Sequence, residues 1–184
     1  SSKIRSSSLL FMSQIIPVKG LEILLESIYR LKNESGAVLS LDIYGYGEPT
    51  YLEVLKLLVI DYGLENQIRF LGSVSRVNRV QLFDKYNLFV LPSRNESFGL
   101  VVLEALSRGC KILTTVNTPW GDDKFKEYID TVDLKVDNLI YALSKYHEQL
   151  NTFSEEDGYR RQSFVQKTFD WRIINKQILE VYNR

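Results

Sequence analysis

Short apolar runs that alternate with amphipathic helical stretches, most of them closed by a glycine-bearing turn, leave this chain few architectures to choose from. The runs lie at residues 9–12, 38–44, 67–72, 88–91 and 111–115, with a weaker sixth at 132–136. Between them, Leu21, Leu24, Leu25, Ile28 and Leu31 recur at helical spacing, as do Leu52, Leu55, Leu58 and Val59 before Gly63. Residues 77–86 read as a third helix and residues 100–109 as a fourth, with Gly109 as its stop. Strands separated by single helices of this length pair in parallel through right-handed crossovers, with helices on both faces. The expected fold is therefore α/β, a doubly wound parallel sheet of about six strands. Helices are expected to follow at residues 138–150, at 155–167 behind Ser154, and at 171–182 behind Asp170. Ligands of such sheets bind beyond the carboxyl ends of the strands, which is where the glycine turns fall.

A chain of 184 residues suits one compact unit, so the expected organisation is a single domain over residues 1–184. The opening SSKIRSSS reads as a linker or remnant over residues 1–8. Lys plus Arg and Asp plus Glu each number 23. That balance argues against nucleic acid or an anionic membrane as the main partner. The single cysteine, Cys110, cannot form an internal disulfide, which fits a reducing, cytoplasmic setting. At the start of a strand it reads as a small core residue. His147 falls on an amphipathic helix far from any glycine turn and reads as a surface residue. No apolar run approaches the roughly 18 residues of a membrane span, and no signal peptide is visible. The absence of a GxxxxGK[ST] loop, of metal-spaced His or Cys pairs and of a Ser/His/Asp set sets aside most hydrolase and metalloenzyme chemistries.

Chemistry concentrates in a few places. Gly45-Tyr46-Gly47 lacks the third glycine of a dinucleotide fingerprint, since that position is Thr50, so a plain turn accounts for it equally well. In residues 92–109, PSRNESFGLVVLEALSRG, the helix is apolar on nearly every face, as in a helix buried all round, yet it carries Glu104. Glu96 lies in the turn before it, and Gly99 marks where the first helical N–H groups form an anion site. With Lys19, these groups suit a ligand with a phosphate centre and hydroxyl-rich ends. The plainer readings carry equal weight: Glu96 stabilises the helix N-terminus, Glu104 pairs with Arg108, and Lys19 is solvated.

The stretch LPSRNESFGLVVLEALSRG resembles the E-x7-E signature of glycosyltransferase family 4, retaining enzymes of the two-domain GT-B fold. FMSQIIPVKGLEILLESI resembles the first strand, loop and helix of that family's C-terminal, Rossmann-like domain. LDIYGYGEP is similar to its second strand and turn, IRFLGSV to its third strand, and FDWRIINKQILEVYNR to its terminal helix. The resemblance implies transfer of a sugar from a nucleotide-sugar to an acceptor hydroxyl with retained configuration, without a metal or other cofactor. It makes Glu96 the catalytic-site acid, which with Ser97, Phe98, Gly99 and Leu100 holds the donor sugar and phosphate. It assigns Glu104 to the ribose hydroxyls, Lys19 to the diphosphate, Ser73 and Val74 to the base, and Gln14, Gly45 and Gly47 to the same donor site.

Two features depart from the family pattern. The family presents Gly-Arg where this chain has Ser13 and Gln14, which removes one phosphate cation. The loop of Asn117, Thr118, Pro119, Trp120, Gly121 and Asp122 resembles a variant found in bacterial surface-polysaccharide transferases, and Trp120 is either core packing or an aromatic platform near the sugar. The family's acceptor site belongs to an N-terminal domain outside this sequence. The resemblance therefore implies a donor-binding half that is inactive alone, with membrane association left open for the longer enzyme. The alternative, motivated by Gln14, is a catalytically inactive nucleotide-binding or structural module of the same fold.

Overall fold

A computed structural model describes residues 6–150 and 152–170. The helix expected at 171–182, and with it most of the segment likened to a terminal helix, lies outside these residues. The strands are β1 (Ser6–Met12), β2 (Leu41–Tyr44), β3 (Ile68–Gly72), β4 (Tyr86–Leu91), β5 (Lys111–Thr115) and β6 (Ile129–Val132). They form one sheet in the order β3-β2-β1-β4-β5-β6, and every pairing is parallel. Helices α1 (Leu21–Ser35), α2 (Pro49–Asp61), α3 (Arg76–Phe83) and α4 (Leu100–Ser107) link successive strands. Short 3-10 turns at Pro119–Gly121 and Asp123–Phe125 precede β6, and α5 (Val136–Glu148) and α6 (Glu155–Thr168) follow it.

The expected architecture is thus the one observed, and the reasons are local. The central strands are buried on both faces, so Leu9, Leu10 and Phe11 and Leu88 to Leu91 read as continuous apolar runs rather than alternating ones. Helix α1 buries Leu21, Leu24, Leu25, Ile28 and Leu31 along one stripe. Ser154 caps α6, its hydroxyl accepting from the Asp157 N–H at 3.1 Å.

Several boundaries differ from the sequence reading. β1 starts at Ser6, inside the stretch read as a linker: the Ser6 N–H donates to the Lys85 carbonyl at 2.6 Å, and backbone pairing needs no apolar side chain. β4 starts at Tyr86, which had been assigned to the preceding helix, and α3 stops at Phe83. β2 begins only at Leu41. The sixth strand lies earlier than residues 132–136, because Ile129 takes the buried position and Val136 already opens α5. Helix α4 is not buried all round. Val102, Ala105 and Leu106 face the core, whereas Leu100 is 65% exposed, because the helix N-terminus emerges at the sheet's carboxyl edge.

One acid sits within the sheet itself. Asp42 on β2 is 1% exposed. Its Oδ1 accepts from Arg69 Nε and its Oδ2 from Arg69 Nη2, both at 2.7 Å, and Oδ2 also accepts from the Tyr86 hydroxyl at 2.7 Å. Burial first, and then the bond to Asp42, push the Tyr86 phenol well above its ordinary pKa.

Candidate functional site

The strand order places β1 between β2 and β4, so the chain winds outward in one direction from β1 to β3 and in the other from β4 to β6. At such a switch point the loops leaving the two central strands diverge and open a crevice at their carboxyl ends. Both loops carry charged residues singled out by the sequence. Lys19 from the loop after β1 and Glu96 from the loop after β4 meet there, Nζ to Oε2 at 2.6 Å, with side chains only 13% and 14% exposed. The Arg94 N–H donates to the Val18 carbonyl at 2.8 Å and ties the same loops through the backbone. Lys19 is therefore ion-paired rather than solvated.

The loops after β1, β2 and β3 extend the hydrogen-bonded ladder past the strand ends. Gly45 N–H donates to the Gly72 carbonyl at 2.9 Å, and Ile15 N–H to the Tyr46 carbonyl at 2.7 Å. This close layering explains the Gly-Tyr-Gly sequence. A Cβ on Gly45 would lie 1.9 Å from the Ser13 carbonyl oxygen, and one on Gly47 would lie 2.2 Å from that of Ile15. The two glycines are required by the packing of one loop on another, whatever else they do.

The layered loops wall a cavity of about 320 Å³. Gln14, Gly45, Ser73 and Val74, four of the residues singled out by sequence, line it, and so do Tyr46 and Arg79, which were not. Gly47 instead bridges to Ile15. Arg79 connects the cavity to Glu104: its Nη2 donates to Glu104 Oε1 at 2.6 Å, and the side chains are 33% and 30% exposed. The Glu104–Arg108 pair, one of the plainer alternatives, does not form. Arg108 closes α4 and turns to the end of α3, where it makes a two-pronged contact with Asp84. Nothing in the sequence marked Arg79, because its partner lies 25 residues away on a neighbouring helix.

Ser97, Phe98, Gly99 and Leu100 lead from Glu96 into α4, whose N-terminus has no side-chain cap. Its first-turn N–H groups and the positive end of its dipole point to the carboxyl edge, an arrangement that favours anions. Gly99 is left-handed, with φ of +69°, and a Cβ there would lie 3.0 Å from Glu96 Cγ and 3.2 Å from Trp120 Nε1. Trp120, left open between packing and a platform, is packing. It is 1% exposed and stacks at tilted angles among Phe98, Phe125 and Phe169, with ring centroids 5.3, 5.1 and 6.1 Å away. Its indole N–H is buried beneath Gly99 and has no hydrogen-bond partner.

Outside this edge, Cys110 is buried, its thiol within 3.3 Å of the Phe83 carbonyl oxygen and 3.4 Å of that of Tyr86, so it is a core residue. Among the described residues, no group of three or more His, Cys, Asp or Glu side chains could hold a metal ion. No helix among them is long and apolar enough to cross a membrane.

Comparison with known proteins gives this edge a context. A D-inositol 3-phosphate glycosyltransferase of Jonesia denitrificans is 30% identical over 109 residues, which is 57% of this chain and 26% of that protein. The matched stretch thus spans about a quarter of the length of such curated relatives, and matches over nearly the whole chain span less than half of theirs. Two solved structures share its fold. The pneumococcal O-GlcNAc transferase GtfA, crystallised with UDP and GlcNAc, superposes with a TM-score of 0.73 at 21% identity, covering 100% of this chain and 37% of that one. The C-terminal domain of a glycosyl transferase group 1 family protein from Francisella tularensis gives 0.69 at 20% identity, covering 92% and 89%. The family model for glycosyl transferases group 1 matches residues 4–150, which takes in every strand of the sheet and the whole of the crevice. By that match the chain belongs to the group 1 glycosyl transferases.

Proposed function

We propose that this chain is the donor-binding domain of a retaining glycosyltransferase of family 4, acting in bacterial polysaccharide or glycan synthesis. The observation that carries this reading is the arrangement of polar groups along one sheet edge: a cavity of about 320 Å³, Arg79 on its wall with Glu104 bonded behind it, the uncapped N-terminus of α4, and the Lys19–Glu96 pair at the switch point. In that order they match the parts of a nucleotide-sugar. The base enters between Ser73 and Val74, and Glu104 accepts from the ribose hydroxyls. The diphosphate lies against the N–H groups of Gly99 and Leu100 and takes Lys19 as a counter-charge, with Gln14 as a neutral donor. Glu96 turns to the sugar. The pneumococcal neighbour was crystallised with UDP and GlcNAc, a nucleoside diphosphate and a sugar.

In the transfer, the bond between the anomeric carbon and the diphosphate oxygen breaks and the electron pair leaves with the diphosphate. The acceptor oxygen then bonds to the same face of that carbon and passes its proton to the departing diphosphate. Lys19 and the α4 N-terminus stabilise the charge that develops on the leaving group, so no metal ion is needed for it. The acceptor is supplied by a second, N-terminal domain of the longer enzyme, and the donor-binding domain by itself transfers nothing.

Calorimetric titration with UDP, GDP and their hexose conjugates tests the reading. Saturable binding of at least one is expected, and no binding of any at millimolar concentration overturns it. Glu104→Ala should weaken nucleotide binding about tenfold, or ~1.4 kcal/mol. Glu127→Ala, an exposed acid outside the edge, should leave it unchanged. Sugar transfer by the chain joined to its N-terminal domain would reject the alternative of an inert module.

A further inference from the structure

We propose that Arg79 is a positioning residue for a ribonucleotide: it holds one oxygen of Glu104 so that the other is presented to the ribose diol. This rests on the donor-site reading and adds to it one residue, Arg79. The motive is a contrast between arginine pairs in the same molecule. Arg69 on Asp42 and Arg108 on Asp84 both use Nε and Nη2 together, one to each carboxylate oxygen. That two-pronged fork is a frequent geometry for an arginine and a carboxylate, and it forms at Asp42 even though Tyr86 also bonds to the same acid. Arg79 makes a single contact, Nη2 to Glu104 Oε1, although the two groups are already 2.6 Å apart.

The atoms that the missing prong would have joined are both buried and unpartnered: Arg79 Nε and Glu104 Oε2. A buried carboxylate oxygen without a partner is unfavourable, and a ligand hydroxyl that donates to it removes the cost. The free Glu104 oxygen is an acceptor, and a vicinal diol answers it, since each of its hydroxyls can give a hydrogen bond. Small rotations about the terminal torsion of Glu104, which is broad and low in energy, bring Oε2 to the cavity while Oε1 stays on Arg79. Arg79 also lines that cavity directly, together with Ser73 and Val74. The diol end of the ligand is therefore met by one residue that touches it, Glu104, and one that fixes how Glu104 is aimed.

The test compares ribo- and 2′,3′-dideoxyribonucleoside diphosphates, of both uridine and guanosine, on the whole chain and on Arg79→Gln, Arg79→Lys, Glu104→Gln and the Arg79→Gln/Glu104→Gln double variant. Arg79→Gln should weaken the ribonucleotide about tenfold and the dideoxy form less than twofold. Arg79→Lys, which keeps the charge but not the fork, should recover part of the loss. In the Glu104→Gln background, Arg79→Gln should add less than twofold, because the path through Glu104 is already broken. Unchanged affinity in Arg79→Gln, equal loss for both sugars, or full additivity with Glu104→Gln overturns the role of Arg79 while leaving the donor site standing. Failure of the unaltered chain to bind either ribonucleotide overturns both.

Discussion

Asp42 and Glu104 are both acids placed among apolar neighbours, but the molecule treats them differently. Asp42, in the amino half of β2, receives three hydrogen bonds from Arg69 and Tyr86. Both of its oxygens are occupied. Glu104, at the opposite edge of the sheet, has one bond to one oxygen and a buried second oxygen with no partner. Asp42 belongs to the scaffold, its desolvation offset within the fold, whereas Glu104, placed in the proposed donor site, keeps one oxygen without a partner among the described residues. Saturation of a half-buried acid is thus a better guide to its role than its burial, since Asp42 is the more buried of the two.

Substitutions at the two places should separate stability from binding. Asp42→Ala removes the acceptor of three hydrogen bonds, two from Arg69 and one from Tyr86, and should lower the unfolding free energy by about 2–3 kcal/mol, read from urea melts. Nucleotide affinity should stay within twofold. A large loss of affinity without a loss of stability would break the comparison.

Gly99→Ala joins the two terms, because the left-handed φ and the short distances to Glu96 and Trp120 resist a Cβ. It should cost about 2 kcal/mol in stability. It should also weaken binding of a nucleotide-sugar more than of the bare nucleotide, measured by the ratio of the two dissociation constants.

The Asp42 cluster also makes a prediction in pH. The Tyr86 phenol is raised above its unfolded value by burial and by Asp42, and those of Tyr51 and Tyr146 are raised chiefly by burial. A group with a raised folded pKa contributes stability that is fully present below its unfolded pKa, near 10 for tyrosine, and lost as pH rises beyond it. Stability should therefore fall above about pH 10, by up to ~1.4 kcal/mol per pH unit for each such tyrosine, and Tyr86→Phe should reduce that slope. Glu104→Ala, by contrast, should cost ~1.4 kcal/mol in nucleotide binding and less than about 0.5 kcal/mol in stability, since a half-exposed pair contributes little to folding. The smallest effect is a gain. Gln14→Arg puts a cation on the cavity wall and should tighten diphosphate binding roughly threefold, with the gain shrinking as salt is raised.

Much of this was visible in the residues before any coordinates. Parallel pairing followed from strands separated by helices, and the sheet edge that matters followed from where the glycines fall. Lys19 and Glu96 were named, though not their contact, because 77 residues separate them and only the strand order joins their loops. Arg79 and Asp42 were missed for a related reason. Sequence reasoning pairs charges by helical spacing, so Arg108 was the natural partner for Glu104, whereas packing of α3 beside α4 chose Arg79 and left Arg108 to Asp84. The four residues of β6 give too few turns of alternation to fix its register. The burial of α4 was overestimated because composition shows how apolar a helix is but not that its first turn emerges from the sheet.

The contact between Lys19 and Glu96 has a consequence for how any charged ligand arrives. An anion that reaches Lys19 competes for its charge with a carboxylate already 2.6 Å away, and as far as it draws the lysine off, that carboxylate becomes free to accept from the newcomer's hydroxyl groups. Entry is then a swap of partners in which neither the lysine nor the acid is left bare. A ligand that carries negative charge without hydroxyls, such as pyrophosphate, completes only half of that swap and is held less firmly than one that carries both.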